Sequence, residues 1–386
     1  MHTHNERDPL HCILPPHVLK EIAAKGSDSQ KQWALDTINA SALLRAERMK
    51  ITEFKTEFAS AGLMAAAGTG GKERILYDAK HGSSLPGTVV RKEGDPPVAD
   101  VAVNEAYDGS GWTYDLYKDI YGRNSVDNNG LRLDSTVHYQ NNYDNAFWDG
   151  KQMVYGDGDG SLFNRFTISI DVMGHELTHG VTQYEASLNY SQQPGALNES
   201  MSDVFGSLVK QYSLKQTAAD ADWLIGAGLL AAGVNGVALR SMKAPGTAYN
   251  DPVLGKDPQP AHMNNYVNTT SDNGGVHINS GITNHAFYVV ATQIGGYAWE
   301  KAGQIWYITL RDKLTATSNF QECANLTYQT AADLYGAGSL EQQAVQAGWA
   351  QVGLDVTGIP PTPTPTPTPT PAPGCLGSLL KLIGAA

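Results

Sequence analysis

The spacing of apolar residues divides the chain into three stretches. Near the N-terminus, Ile22, Trp33, Leu35, Ile38, Leu43 and Leu44 recur at helical intervals behind a Pro15-Pro16 pair. Between Arg74 and Ser169 the pattern changes to short Val-, Tyr- and Thr-rich runs broken by Gly, Asp and Asn, as strands and tight turns require. From Asp171 onward Ala-rich segments of helical period dominate, among them 195–208, 282–294 and 325–335. The pattern predicts an α+β chain: a β-rich N-terminal lobe, an α-helical C-terminal lobe and a cleft where the two meet.

Composition marks the segments outside these lobes. Residues 59–72 are rich in Ala and Gly and read as a flexible linker, and 360–373 alternate Pro and Thr as a stiff spacer. The resulting divisions are 1–50, a 51–72 linker, a 73–170 β-rich lobe, a 171–357 helical lobe, a 358–373 spacer and a 374–386 apolar tail. That tail, with Cys375, is far below membrane-spanning length; a docking or surface-retention peptide and a dispensable end are equally compatible with it. No apolar run at the N-terminus resembles a conventional secretion signal. A length of 386 residues supports two or three folding units. The formal net charge of −12, from 27 basic and 39 acidic residues, argues against nucleic acid or an anionic membrane as partner. Cys12, Cys323 and Cys375 are too few and too scattered for a disulfide framework.

The densest chemistry lies at His175-Glu176-Leu177-Thr178-His179. On a helix the two histidines share a face and can grip one ion, while Glu176 faces water beside it. A catalytic zinc takes three protein ligands and leaves a position open. Downstream, after Pro194-Gly195, a second helical pattern carries Glu199 and Asp203 four residues apart among Leu197, Met201, Val204, Phe205 and Leu208. Glu199 suits the third ligand, and Asp203 suits the carboxylate that holds a zinc histidine by its other ring nitrogen. A solvated acidic helix face would be the ordinary reading of that spacing, but this apolar setting leaves little room for one.

Further blocks extend the pattern: Asn145-Ala146-Phe147-Trp148, Met153 to Gly160, Leu239-Arg240-Ser241-Met242, and Asp272-Asn273-Gly274-Gly275-Val276-His277. Together with the two helices they resemble the thermolysin family of zinc endopeptidases, in order, from about Arg74 to Leu354. The resemblance implies the two-lobe thermolysin-like fold with the zinc helix between the lobes. It implies one zinc held by His175, His179 and Glu199, with Glu176 as general base. His277 and Tyr190 would donate to the oxyanion, and Asp272 would orient His277. Asn145 and the Ala146 backbone would bind peptide main chain as an added strand, and Arg240 the carbonyl beyond the cleaved bond. Phe163, Phe166, Val172, Ile225 and Leu239 match the pocket for a hydrophobic residue after that bond. Without the family those five read as core positions, Tyr190 as an ordinary half-buried tyrosine and His277 as a loop residue.

The chain departs from the family where calcium is concerned. Asp171 and Asp222 remain, but Lys210 stands where a glutamate ligand is expected, and Leu224 and Ala227 replace two more acids. The Asp157-Gly158-Asp159-Gly160 loop lacks further ligands at Ser161, Leu162 and Ile168 and reads as a turn. The expectation is that calcium is not bound.

Residues 1–50 resemble the short propeptide of the protealysin branch, which implies a latent precursor, an own propeptide acting in cis, and a secreted or extracellular enzyme exported without a recognisable N-terminal signal, or else a cytoplasmic precursor. Two latency mechanisms stay open. The Cys12 thiolate could occupy the fourth zinc position. Alternatively Pro15-Pro16, with Leu14, His17 and Val18, could fill the primed side of the cleft. Two other functions are compatible with part of the pattern. A zinc aminopeptidase shares the His-Glu-x-x-His and distant Glu, but the chain has no Gly-x-Met-Glu-Asn anchor for a free amine. A binding module with structural zinc would need none of Glu176, Tyr190 and His277.

Overall fold

The computed structural model describes residues 11–42 and 70–356. The expected division near residue 50, nearly all of the 51–72 linker, the Pro/Thr spacer and the Cys375 tail lie outside the described residues. The leading segment contributes β1 (His11–Cys12), α1 (Pro16–Lys25) and α2 (residues 28–42). Pro15 and Pro16 occupy the N-cap and first helical positions of α1, where a missing amide costs no hydrogen bond.

The β-rich lobe is built on β2 (Arg74–Asp78), β3 (Thr88–Lys92), β4 (Leu133–Val137), β5 (Ala146–Trp148) and β6 (Gln152–Tyr155). The six-stranded sheet has the order β1-β5-β6-β4-β2-β3. Strands β2, β4 and β6 run parallel, while β3, β5 and β1 add antiparallel at either side. A parallel neighbour requires a long crossover. The crossover from β2 to β4 runs through β3 and then α3 (Val101–Asp115), capped by the Asp100 side chain on the Ala102 and Val103 amides. Strand and turn chemistry alone is therefore an incomplete description of 73–170. Gly109 and Gly111 obscure the helical period there, yet both are buried against Met173 and Arg74, where a side chain would not fit.

The helical lobe comprises α4 (Ile170–Tyr184), α5 (Gln192–Leu214), α6 (Asp272–Ile294), α7 (Lys301–Asp312), α8 (Phe320–Tyr335) and α9 (Leu340–Gln351). Every residue of α4 from Asp171 to Thr182 is buried, because α3 and the sheet cover one side of it and α5 the other. Gly206 makes the α4–α5 approach possible: a Cβ there would lie 2.4 Å from the Asp171 carbonyl oxygen and 3.0 Å from the His175 nitrogen. That close approach brings the side chains of α5 up to those of α4.

Beside α4, the Lys210 Nζ lies 3.1 Å from Asp171 Oδ2, 2.8 Å from Asp222 Oδ2 and 3.2 Å from the Leu224 carbonyl oxygen. Asp159 accepts the amides of Ser161, Leu162 and Phe163 and so closes the turn after β6 upon itself. Among the described residues no helix is long and apolar enough to cross a membrane.

Candidate active site

Helical spacing on α4 puts His175 and His179 side by side, their Nε2 atoms 3.0 Å apart. Glu199, from α5, places Oε2 3.6 Å from His175 Nε2 and Oε1 3.5 Å from His179 Nε2. All three side chains are buried. Nδ1 of His175 donates to Asp203 Oδ1 at 2.7 Å, and Nδ1 of His179 to Asn198 Oδ1 at 2.8 Å. With the ring protons used there, both Nε2 atoms present lone pairs toward each other and toward a carboxylate, and Glu199 Oε2 has no hydrogen-bond partner. Such a convergence of buried acceptors is satisfied by a cation, and two imidazoles with one carboxylate suit zinc.

Glu176, one position further around α4, accepts the Trp148 amide at 3.2 Å. Burial, then the nearby Glu199, pushes its carboxyl well above the ordinary range, while the amides of Trp148 and Ile13 and the charge of Arg240 oppose the shift. On the far side, α6 begins irregularly. Asp272, Asn273, Gly274 and Gly275 all have positive φ, which two glycines make affordable, and this coil folds Asp272 back onto His277. Asp272 accepts His277 Nδ1 at 2.6 Å and the His277 amide at 2.9 Å. Burial would lower the His277 pKa, but Asp272 and Glu199 push it up to about 9. The Tyr190 hydroxyl bonds Glu199 Oε1 and lies 3.2 Å from His277 Nε2. Burial and Glu199 hold that phenol well above its usual value, so it keeps its proton.

This constellation sits under matching sequence on both lobes. Residues 54–183 match the catalytic domain, and residues 186–354 the alpha-helical domain, of thermolysin metallopeptidase. The chain belongs to the thermolysin family. It is 51% identical to an extracellular metalloprotease of Pectobacterium carotovorum subsp. carotovorum over 349 residues, which are 90% of this chain and 97% of that one. It is 42% identical to a thermolysin of Alicyclobacillus acidocaldarius subsp. acidocaldarius over 295 residues, 74% of this chain and 52% of the other. The solved precursor of protealysin, a metalloproteinase from Serratia proteamaculans, superposes with a TM-score of 0.81 at 54% identity, covering 89% of this chain and 99% of that one. The protein is thus a metalloendopeptidase of a zinc-dependent family, and its His175, His179 and Glu199 fit the metal.

The remaining residues singled out in the sequence lie around the leading segment. Strand β1 lies antiparallel on β5, pairing His11 with Trp148 and Cys12 with Phe147. The Ile13 amide donates to the Ala146 carbonyl at 3.3 Å, and the Leu14 amide to Asn145 Oδ1 at 3.0 Å. Arg240 Nη1 donates to the Ile13 carbonyl at 3.1 Å, and His277 Nε2 stands 3.3 Å from the Cys12 carbonyl oxygen. Ile13 is fully buried in the core cluster that also holds Phe163, Phe166, Val172, Ile225 and Leu239. Alternation along the strand sends the Cys12 side chain to the other face, into a cluster with Tyr139, Tyr143, Phe147 and Val154. The Cys12 carbonyl oxygen faces His277, and Pro15 and Pro16 lead the chain into α1.

Sequence reasoning also passed over Asn198, which fixes His179, Asn284, which donates to Asp203 Oδ2 at 2.8 Å, and the Trp148 amide on Glu176. Asn198 was detectable, since it precedes Glu199 on a buried helix with Ser202 one turn further on. Asp203 accepts both Arg240 Nε and Nη2 at 2.8 Å, and although burial alone would raise its pKa, Arg240 and His175 hold it far below the usual range. Asp203→Asn should weaken zinc binding about 10- to 100-fold, the usual effect of losing a partner behind a metal histidine. Chelator competition on the folded variant measures it, and an unchanged affinity would remove Asp203 from the metal's support.

Proposed function

We propose that the chain is a zinc endopeptidase cutting on the N-terminal side of hydrophobic residues, made as a latent precursor and secreted. The observation that carries this reading is the stance of residues 12–14, which lie in the cleft as a substrate would. The Cys12–Ile13 peptide bond occupies the scissile register, its carbonyl on His277, the next carbonyl on Arg240, and the Ile13 side chain buried beyond. An isoleucine accommodated there supports a preference for apolar side chains after the cut.

In this reading His175, His179 and Glu199 hold zinc, which when bound supplies a Lewis acid for the carbonyl and lowers the pKa of water. Glu176 removes the proton from the attacking water and delivers it to the leaving nitrogen, a position next to it in the Ile13 amide. Protonated, as Asp272 and Glu199 favour, His277 donates from Nε2, and with Tyr190 it stabilises the oxyanion. Asn145, the Ala146 carbonyl and Arg240 bind peptide backbone by strand addition, so specificity rests on the pocket lined by Phe163, Phe166, Val172, Ile225 and Leu239.

The leading segment inhibits by filling this strand position, and α1 and α2 anchor it. His17 lies 3.2 Å from the Tyr249 hydroxyl, Gln30 donates to Ser161 at 3.1 Å, and the Asp144 amide donates to Thr37 at 3.3 Å. The Pro15-Pro16 pair stiffens the passage from strand to helix. Secretion is supported by the Pectobacterium relative, named as extracellular. Calcium has no place beside α4 in this proposal, because the Lys210 ammonium already stands between Asp171 and Asp222 where a cation would sit.

Three measurements test these claims. Glu176→Ala should keep zinc and fold but lose at least about 10⁴-fold in turnover of a blocked peptide; near-normal cleavage would sink the mechanism. In the precursor, Cys12→Ser should stay latent whereas Ile13→Asp should process early, since a carboxylate buried without a partner expels the strand. Immediate activity of Cys12→Ser would make the thiol the latch. Millimolar calcium should leave the melting temperature of the mature enzyme unchanged, and Lys210→Ala should cost about 3 kcal/mol by stranding Asp171. A rise of many degrees with calcium would refute the lysine's role.

A further inference from the structure

Another group of donors lies outside the peptidase machinery, at one end of the sheet. Strands β2, β4 and β6 are parallel neighbours, so their C-terminal ends share an edge. His81 follows β2 in the turn toward β3, His138 is the first residue after β4, and Asp157 comes two residues after β6. Both histidines hold a left-handed backbone, φ 58° and 55°, uncommon for residues with a side chain. The His81 amide donates to the His138 carbonyl at 2.9 Å, tying the two turns together.

Their imidazoles converge on one carboxylate. His138 Nδ1 is 2.9 Å from each Asp157 oxygen, and His81 Nδ1 is 3.5 Å from Asp157 Oδ2. The three donor atoms lie within 4.8 Å of one another. Ligands on a tetrahedral ion with bonds of about 2.0–2.1 Å stand roughly 3.3 Å apart, so the donors need little rearrangement. Behind His138, Nε2 meets Asp100 Oδ2 at 2.7 Å. The same device supports His175, where Asp203 holds the ring nitrogen turned away from the metal position.

We propose that His81, His138 and Asp157 form a second divalent transition-metal site, with Asp100 orienting His138. Two imidazole nitrogens select zinc and similar ions over calcium and magnesium. Half of the His81 side chain is exposed, at 51%, leaving the remaining coordination positions to solvent. A bound ion would draw His81 in toward His138 and Asp157. Bound metal would clasp the three turns, including the 138–145 segment that leads from β4 to Asn145 and the peptide-binding edge.

Zinc titration of the full-length precursor, with the His175 site already filled, tests the proposal. Calorimetry should show one further zinc per chain and a zinc-dependent rise in melting temperature. His81→Ala, a change at an exposed turn, should weaken that event by more than about 100-fold and abolish the thermal shift. Its peptidase activity after maturation, at one zinc per chain, should equal that of the parent. Absence of a second event, an unaltered event in His81→Ala, or an equal response to calcium would each overturn the assignment.

Discussion

A single buried carboxylate ties the metal side of the cleft to its peptide side. Asp203 is wholly enclosed, yet it takes the Nδ1 proton of His175, two guanidinium hydrogens of Arg240 and an amide hydrogen of Asn284. A charge in that position is tolerable only while its partners stay in place. The partners come from α4, β7 (Arg240–Ser241) and α6, so one ion arranges three elements around the site. Any shift of α5 that disturbed Asp203 would turn a metal histidine and strand the arginine that reaches the peptide. The close contact at Gly206 limits such shifts, because the two helices leave no space between them for slippage.

The leading segment is held by main chain more than by side chain. Ala146, Asn145 and Arg240 address its amides and a carbonyl, while the Ile13 side chain is buried. Backbone recognition at a sheet edge is inherently permissive. It allows a segment of the same chain to lie where foreign peptides would, without a dedicated binding surface.

Much of this was legible in the sequence, for reasons that differ between elements. The helices of the C-terminal lobe announce themselves by period, and the α+β division into two lobes follows from where that period starts. His175 and His179 could be paired because helical spacing fixes their geometry locally, and Glu199 could be joined to them because an acid amid Leu197, Met201 and Phe205 demands a reason. Helix α3 was hidden because its buried glycines make room for Met173 and Arg74, a tertiary requirement that no local propensity carries. The backbone contacts of the leading segment were hidden for a similar reason. The prolines are the conspicuous feature of the leader, but they shape the entry into α1, while Cys12 and Ile13 make the contacts through backbone atoms that carry no sequence signature. Asn198 and Asn284 hide in the same way, as neutral residues whose importance lies in which proton they fix or share.

The strand laid along β5 also sets how latency would end. While the leader is covalently joined to the enzyme, its local concentration at the cleft is in the millimolar range typical of a short tether, and outside peptides compete poorly. Severing the connection breaks none of the hydrogen bonds at Ile13 or Leu14. It only converts an intramolecular equilibrium into an intermolecular one, in which occupancy follows the amount of leader present. Activation would then take place in two stages, a cut and a dispersal, and the second would depend on volume: slow in a crowded compartment, fast once the protein is diluted into its surroundings.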